Sequence, residues 1–145
     1  MKVLDLFSGI GGFSLGLERA GMETVAFCEN DKFCQKVLAK HWPDATIHDN
    51  IEELDGQEYR GTVDLVCGGF PCQPFSVAGQ QRGAEDDRAL WPEMLRVIRE
   101  VEPAWVIGEN VSGIIHMELD NVLSDLEGAG YSCQSFVIPA CGVDA

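Results

Sequence analysis

The sequence is poor in positive charge. Ten lysines and arginines stand against 24 aspartates and glutamates, a formal net charge of −14, and a surface of that sign repels a phosphate backbone. This balance argues against a self-sufficient nucleic-acid-binding module and predicts that the chain alone binds double-stranded DNA weakly. No Cys-x-x-Cys pair occurs among the cysteines at 28, 34, 67, 72, 133 and 141, and the three histidines do not join them at ligand spacing, so no metal site is expected. Long apolar runs are missing as well. Charges or glycines interrupt every stretch short of the roughly 20 residues that a membrane crossing needs, and an acid sits inside the early run Met1-Lys2-Val3-Leu4-Asp5, unlike a secretory signal. The expectation is a cytoplasmic protein with no membrane partner. Repeats, low-complexity tracts and linkers are lacking too. At 145 residues and 46% hydrophobic composition, this predicts one domain over 1–145 around a single core.

What is present is alternation of strand-like and helix-like segments, the pattern of a parallel sheet with helices on its faces. Val3 to Phe7 reads as a buried strand, followed by the turn Ser8-Gly9-Ile10-Gly11-Gly12. A helix with Phe13 and Leu17 on one face comes next, with Gly21 at its carboxyl cap. Thr24–Cys28 is a second strand. Asn30 or Asp31 caps a helix that ends before Pro43. Ala45–His48, Val63–Cys67 and Trp105–Gly108 read as strands three to five. Apolar residues at i, i+3, i+4 and i+7 predict helices through Trp91–Ile98 and Leu119–Leu126. Ser132–Ile138 suits a sixth strand.

Ligands of such sheets sit at the carboxyl ends of the strands, where strand order reverses. Four features fall there. Gly9 and Gly11 fit the first two glycines of a dinucleotide fingerprint, with Ser14 in place of the third; close packing of strand on helix would ask for the same glycines. Glu29 ends the second strand, 20 residues beyond Gly9, where a carboxylate accepts from a ribose; a lone glutamate there serves equally as a solvated helix cap. In Pro71-Cys72-Gln73-Pro74, two prolines restrict the backbone around a cysteine, a device that can hold a thiol in place. Its thiolate would be the attacking species. Glu109 ends the fifth strand and can face that loop across the same crevice. Cys28 and Cys67, in apolar segments, read as small core residues.

With Phe7-Ser8-Gly9-Ile10-Gly11-Gly12, Glu29-Asn30-Asp31, Gly69-Phe70-Pro71-Cys72-Gln73-Pro74-Phe75-Ser76 and Glu109-Asn110-Val111 in this order, the chain resembles the DNA cytosine-C5 methyltransferases. The resemblance implies a Rossmann-like class I methyltransferase fold that uses S-adenosylmethionine and stops before its last strands. It implies that Phe7, Gly9, Gly11 and Gly12 cradle the methionine end. Glu29 would bind the ribose hydroxyls, with Asn30 and Pro71 also against the cofactor. Asn50-Ile51 take the place of a usual Asp-Ile beside the adenine, so Asn50, or Asp49 if the register shifts by one, would accept from the adenine amine. Cys72 would attack C6 of a cytosine turned out of the duplex, with Glu109 on N3 and the amine. Gln73, Ser76, Arg82 and Arg88 would face the DNA, on a loop that also carries Gln80 and Gln81; solvated loop residues are the plainer reading of the two arginines.

The pattern departs from the family at Asn30, where many relatives carry a bulky apolar or aromatic residue. It also departs beyond Ile138-Pro139-Ala140-Cys141-Gly142-Val143, where the family continues into an arginine pair, a target-recognition region and a segment that completes the cofactor pocket. Two functional readings follow. One is an enzyme, or its catalytic half, acting on cytosine in DNA, and the other is an inactive cofactor-binding module that awaits a complementing chain. A nicotinamide-dependent dehydrogenase shares the glycine turn and Glu29 but leaves Cys72 and Glu109 unexplained. An unpaired last strand further predicts self-association.

Overall fold

The computed structural model describes residues 1–71, 90–116 and 118–143. Val3 to Leu6 are all buried, Asp5 among them, which marks a strand covered on both faces. This strand, β1 (Lys2–Leu6), is the middle of a five-stranded sheet of order β3-β2-β1-β4-β5, with β2 Glu23–Cys28, β3 Thr46–His48, β4 Leu65–Gly68 and β5 Trp105–Gly108. Every pairing is parallel. Parallel neighbours need crossovers, and helices supply them in an α/β Rossmann-like fold. The strand order reverses between β1 and β4, which opens a crevice at their carboxyl ends.

Among the described residues, four α-helices follow from their sequence signals. In α1 (Gly12–Arg19), Phe13 and Leu17 pack with Met22 on Val3, Leu65 and Cys67, and Gly21 lies just past its end at φ 86°. In α2 (Lys32–His41), Asp31 is the cap: its Oδ1 accepts from the N–H groups of Phe33 and Cys34 at 2.8 and 2.9 Å. The α3 helix (Leu90–Val101) buries Met94, Leu95, Val97, Ile98 and Val101. The α4 helix (Leu119–Gly128) buries Val122. Between β3 and β4, the polar stretch forms two short 3-10 turns, Ile51–Glu53 and Gly56–Tyr59. Cys28 and Cys67 are core residues; burial pushes the Cys28 thiol up to about 12, with the Glu29 charge adding to it.

The sixth strand is not there. Residues 131–139 have no regular structure, and Phe136, Val137 and Ile138 are exposed. A strand is defined by a neighbour that takes its backbone hydrogen bonds, and no described strand pairs with this segment, so its weak alternation had nothing to register against. The chain divides into two compact units, residues 1–110, which hold the whole sheet, and residues 111–145. No described helix is long and apolar enough to cross a membrane.

Candidate active site

The first wall of the crevice is the turn after β1. Phe7 has φ 53°, a left-handed conformation that costs a residue with a side chain roughly 1–2 kcal/mol. Ser8 is buried and holds the turn, its Oγ donating to the Asp5 carbonyl at 2.6 Å; its own carbonyl accepts from Gly11 N–H at 2.9 Å. Gly9 and Gly11 both have positive φ, yet they serve different ends. A Cβ on Gly9 would meet nothing within 4 Å, whereas one on Gly11 would sit 2.6 Å from the Trp42 ring. Gly11 is thus required by packing: Trp42, whose Nε1 donates to Glu18, lies against it. Gly12 opens onto free space.

Glu29 is fixed on every side. Its Oε2 accepts from Gly9 N–H at 2.7 Å and its Oε1 from Asp31 N–H at 2.8 Å. Its backbone N–H donates to His48 of β3 at 2.9 Å. It remains half-buried. A carboxylate oxygen accepts more than one hydrogen bond, so each has a lone pair left for a hydroxyl. A carboxylate held against a glycine N–H, beside two glycines with open Cβ positions, fits the ribose and adjoining chain of a nucleoside cofactor. Asn30 is exposed next to it.

The two candidates for the adenine amine are both engaged. Asp49 is exposed and paired with Lys32 at 2.8 Å, whose hydrogen bond and charge hold its carboxyl below the usual range. Asn50 Oδ1 accepts from Glu52 N–H at 3.0 Å and caps the turn that starts at Ile51, itself buried. Only an oxygen can take that N–H, so the Asn50 oxygen is the amide atom held at the turn.

Under the turn lies Asp5, fully buried, its Oδ2 accepting from Ser14 Oγ at 2.7 Å. Its Oδ1 has no hydrogen bond of normal geometry; Cys67, its register neighbour on β4, offers only a weak thiol donor. Burial pushes the carboxyl from 3.8 up to about 6, against the pull of the Ser14 hydrogen bonds. The acid inside an apolar strand and the serine at the third glycine position are both visible in the sequence. Their pairing is not.

The second wall comes from β4 and β5. Glu109 N–H donates to the Gly68 carbonyl at 3.0 Å, and the position of a Cβ on Gly69 is 3.0 Å from Glu109 Oε2, which sets this exposed carboxylate over the segment entering the Pro71 loop. Asn110 Nδ2 donates to the Phe70 carbonyl at 2.8 Å. The Phe70 ring meets Trp91 of α3 at 5.1 Å between centroids, which ties the segment after β4 to the start of α3. Pro71 is exposed. Cys72, Gln73, Ser76, Gln80, Gln81, Arg82 and Arg88 lie outside the described residues. Among the described residues, no group of three or more His, Cys, Asp or Glu side chains is placed to hold a metal.

The arrangement has known counterparts. The chain is 43% identical over 136 residues to the Type II methyltransferase M.PspPI of Psychrobacter, covering 90% of this chain and 33% of that protein. It is 39% identical to M.Eco47II of Escherichia coli, over 86% and 32%. The chain therefore spans about a third of the length of the curated relatives it matches. Among solved structures, a prophage-encoded E. coli protein assigned as a DNA modification methyltransferase superposes with a TM-score of 0.73 at 27% identity, over 88% of this chain and 38% of that one. Spodoptera frugiperda DNMT2, at 24% identity and a TM-score of 0.70 over 88% and 41%, shares the fold. With the family model for C-5 cytosine-specific DNA methylases matching residues 1–145, the chain belongs to that family.

Proposed function

We propose that this chain is the cofactor-binding and nucleophile-bearing part of an enzyme that methylates C5 of cytosine in double-stranded DNA through a covalent bond between Cys72 and C6. The observation that carries the reading is Glu29, anchored by Gly9 N–H at 2.7 Å at the same sheet edge where Glu109 lies over Gly69. In this reading Glu29 takes the ribose hydroxyls of S-adenosylmethionine. Phe7, Gly9 and Gly12 border its methionine end, and Asn30, Asp49, Asn50, Ile51 and Pro71 surround the base; Gly11 acts through Trp42. The cofactor, when bound, supplies an electrophilic methyl group.

Cys72 forms a bond to C6 of a cytosine turned out of the duplex. The C5–C6 π pair then resides on C5, the carbon that accepts the methyl group. Loss of the C5 proton then leaves its C–H bonding pair to re-form the C5–C6 double bond, as the Cys72–C6 bond breaks and the thiolate departs with that bond's pair. Glu109 hydrogen-bonds N3 and the exocyclic amine, which withdraws charge from the ring and favours attack at C6. Asn110, on the Phe70 carbonyl, steadies the entry to the Cys72 loop. Gln73, Ser76, Arg82 and Arg88 meet the DNA. Methyl-labelled S-adenosylmethionine, a mixed-sequence duplex, this chain and the carboxyl-terminal region of a relative together test the proposal. Label appears at cytosine C5 and is lost in Cys72→Ser; no transfer by the native chain contradicts it.

The net charge of −14 favours a second reading, a cofactor-binding module whose DNA grip and turnover come from a complementing chain. Heat on titration with S-adenosylhomocysteine without methyl transfer supports it, and turnover by the chain alone ends it.

A further inference from the structure

Two carbonyls of the loop that carries Asn50 and Ile51 are held to α3 by one side chain. Arg96 sends Nη2 to the Ile51 carbonyl at 2.6 Å and Nη1 to the Leu54 carbonyl at 3.0 Å. Its position is fixed in turn by Glu93, which accepts from Nε at 2.8 Å, and by Glu100, whose two oxygens stand 2.9 and 2.8 Å from Nη1. Glu100 also accepts from Gly56 N–H at 2.9 Å. A Cβ on Gly56 would lie 2.8 Å from the Glu100 Cβ. The loop is therefore bonded to the helix at the Ile51 and Leu54 carbonyls through Arg96, a side chain about one third exposed, and at the Gly56 N–H through Glu100. Arg96 lies on α3 beside the buried Leu95 and Val97 without being buried itself, so these bonds add nothing to the core. Its planar fork takes two carbonyls at once, which a lysine ammonium cannot reproduce in the same geometry.

We infer that Arg96 is a positioning residue for the base end of the cofactor pocket: it fixes the carbonyls of Ile51 and Leu54, and through them the edge that Asn50 and Ile51 present to the adenine. The inference rests on the proposed cofactor site. The ribose end is held independently, by Gly9 and Asp31 on Glu29, so loss of Arg96 loosens one end of the pocket and spares the other.

Two ligands separate the ends. S-Adenosylhomocysteine carries the base; S-ribosylhomocysteine keeps the sugar and amino-acid portions without it. Calorimetric titration of the native chain gives tighter binding for the first. In Arg96→Met, its dissociation constant rises about tenfold, the loss expected for roughly one hydrogen-bonding contact, while that of S-ribosylhomocysteine stays within about twofold. Arg96→Lys, which keeps the charge but not the fork, falls between the two. Arg99→Met, a substitution at an exposed position of the same helix, binds like the native chain. Thermal unfolding confirms that each variant is folded at the assay temperature, and if Arg96→Met is not, Arg96→Lys decides by the same comparison. Equal weakening of both ligands makes Arg96 a general strut and overturns the inference, as does unchanged binding of S-adenosylhomocysteine or equal binding of the two ligands by the native chain. A native chain that binds neither contradicts the proposed cofactor site itself.

Discussion

Glu29 and Glu109 both end strands at the carboxyl edge of one sheet, and they are held in opposite ways. Glu29 has each carboxylate oxygen on a backbone N–H and its own N–H on β3. Glu109 is anchored by its backbone, but its carboxylate is exposed and, among the described residues, takes no hydrogen bond. The first end is built before any ligand arrives, from contacts within the β1–β3 half. The second presents a free acid. Pre-organised groups spend little free energy on ordering when a ligand binds, so the proposed cofactor half is expected to work in this chain by itself and the proposed substrate half to wait on other surfaces.

Glu109→Gln makes the largest break in that contrast. With the complementing region and duplex present, turnover falls about a hundredfold to a thousandfold, the range for losing a group that stabilises charge in the reacting ring. The thermal midpoint moves by less than about 1 °C, since nothing in the fold rests on that carboxylate. Single-turnover transfer and thermal unfolding measure the two.

Asp5 probes the built end. Its carboxyl has a raised pKa in the folded chain, about 6 against an ordinary 3.8, because it is buried. The protonated form is the one that folding favours. Its contribution is complete below about pH 4 and lost as pH rises through about 6, an effect on the order of 3 kcal/mol for a shift of about two units. Asp5→Asn removes this dependence. Denaturation curves between pH 4 and 7 show the difference in stability between native chain and variant changing by that order; a constant difference contradicts the burial argument.

The smallest effect concerns the open side. The described sheet ends at β5, where Trp105 and Ile107 are exposed, and an unpaired apolar edge favours pairing with another copy. Light scattering at high concentration is expected to give a mass above the monomer, and Ile107→Lys to restore the monomer. A purely monomeric native chain contradicts it.

Much of the fold was legible in the sequence because its signals are local. Strands at Thr24–Cys28 and Trp105–Gly108, a cap at Asn30 or Asp31, of which Asp31 is the one used, and the stop before Pro43 each depend on residues a few positions apart. Glu29 was legible through its spacing from Gly9, and the bond between them now gives that spacing a physical cause. What stayed hidden involves distant partners. Nothing near Gly11 announces that Trp42 fills the space over it, and Arg96 reads as an ordinary helix residue until Ile51 and Leu54 are folded against it. Ser132–Ile138 failed as a strand for the same reason: alternation states a preference, and a neighbouring strand decides it.

The central claim is that the turn after β1 and Glu29 form a nucleoside site ready before substrate arrives. Calorimetric titration of the chain with S-adenosylhomocysteine tests it most directly. The account predicts saturable binding at one site by the native chain and a loss of about a hundredfold in Glu29→Ala, as expected for removing charge-assisted hydrogen bonds. Absence of binding by the native folded chain, or equal affinity in Glu29→Ala, contradicts it.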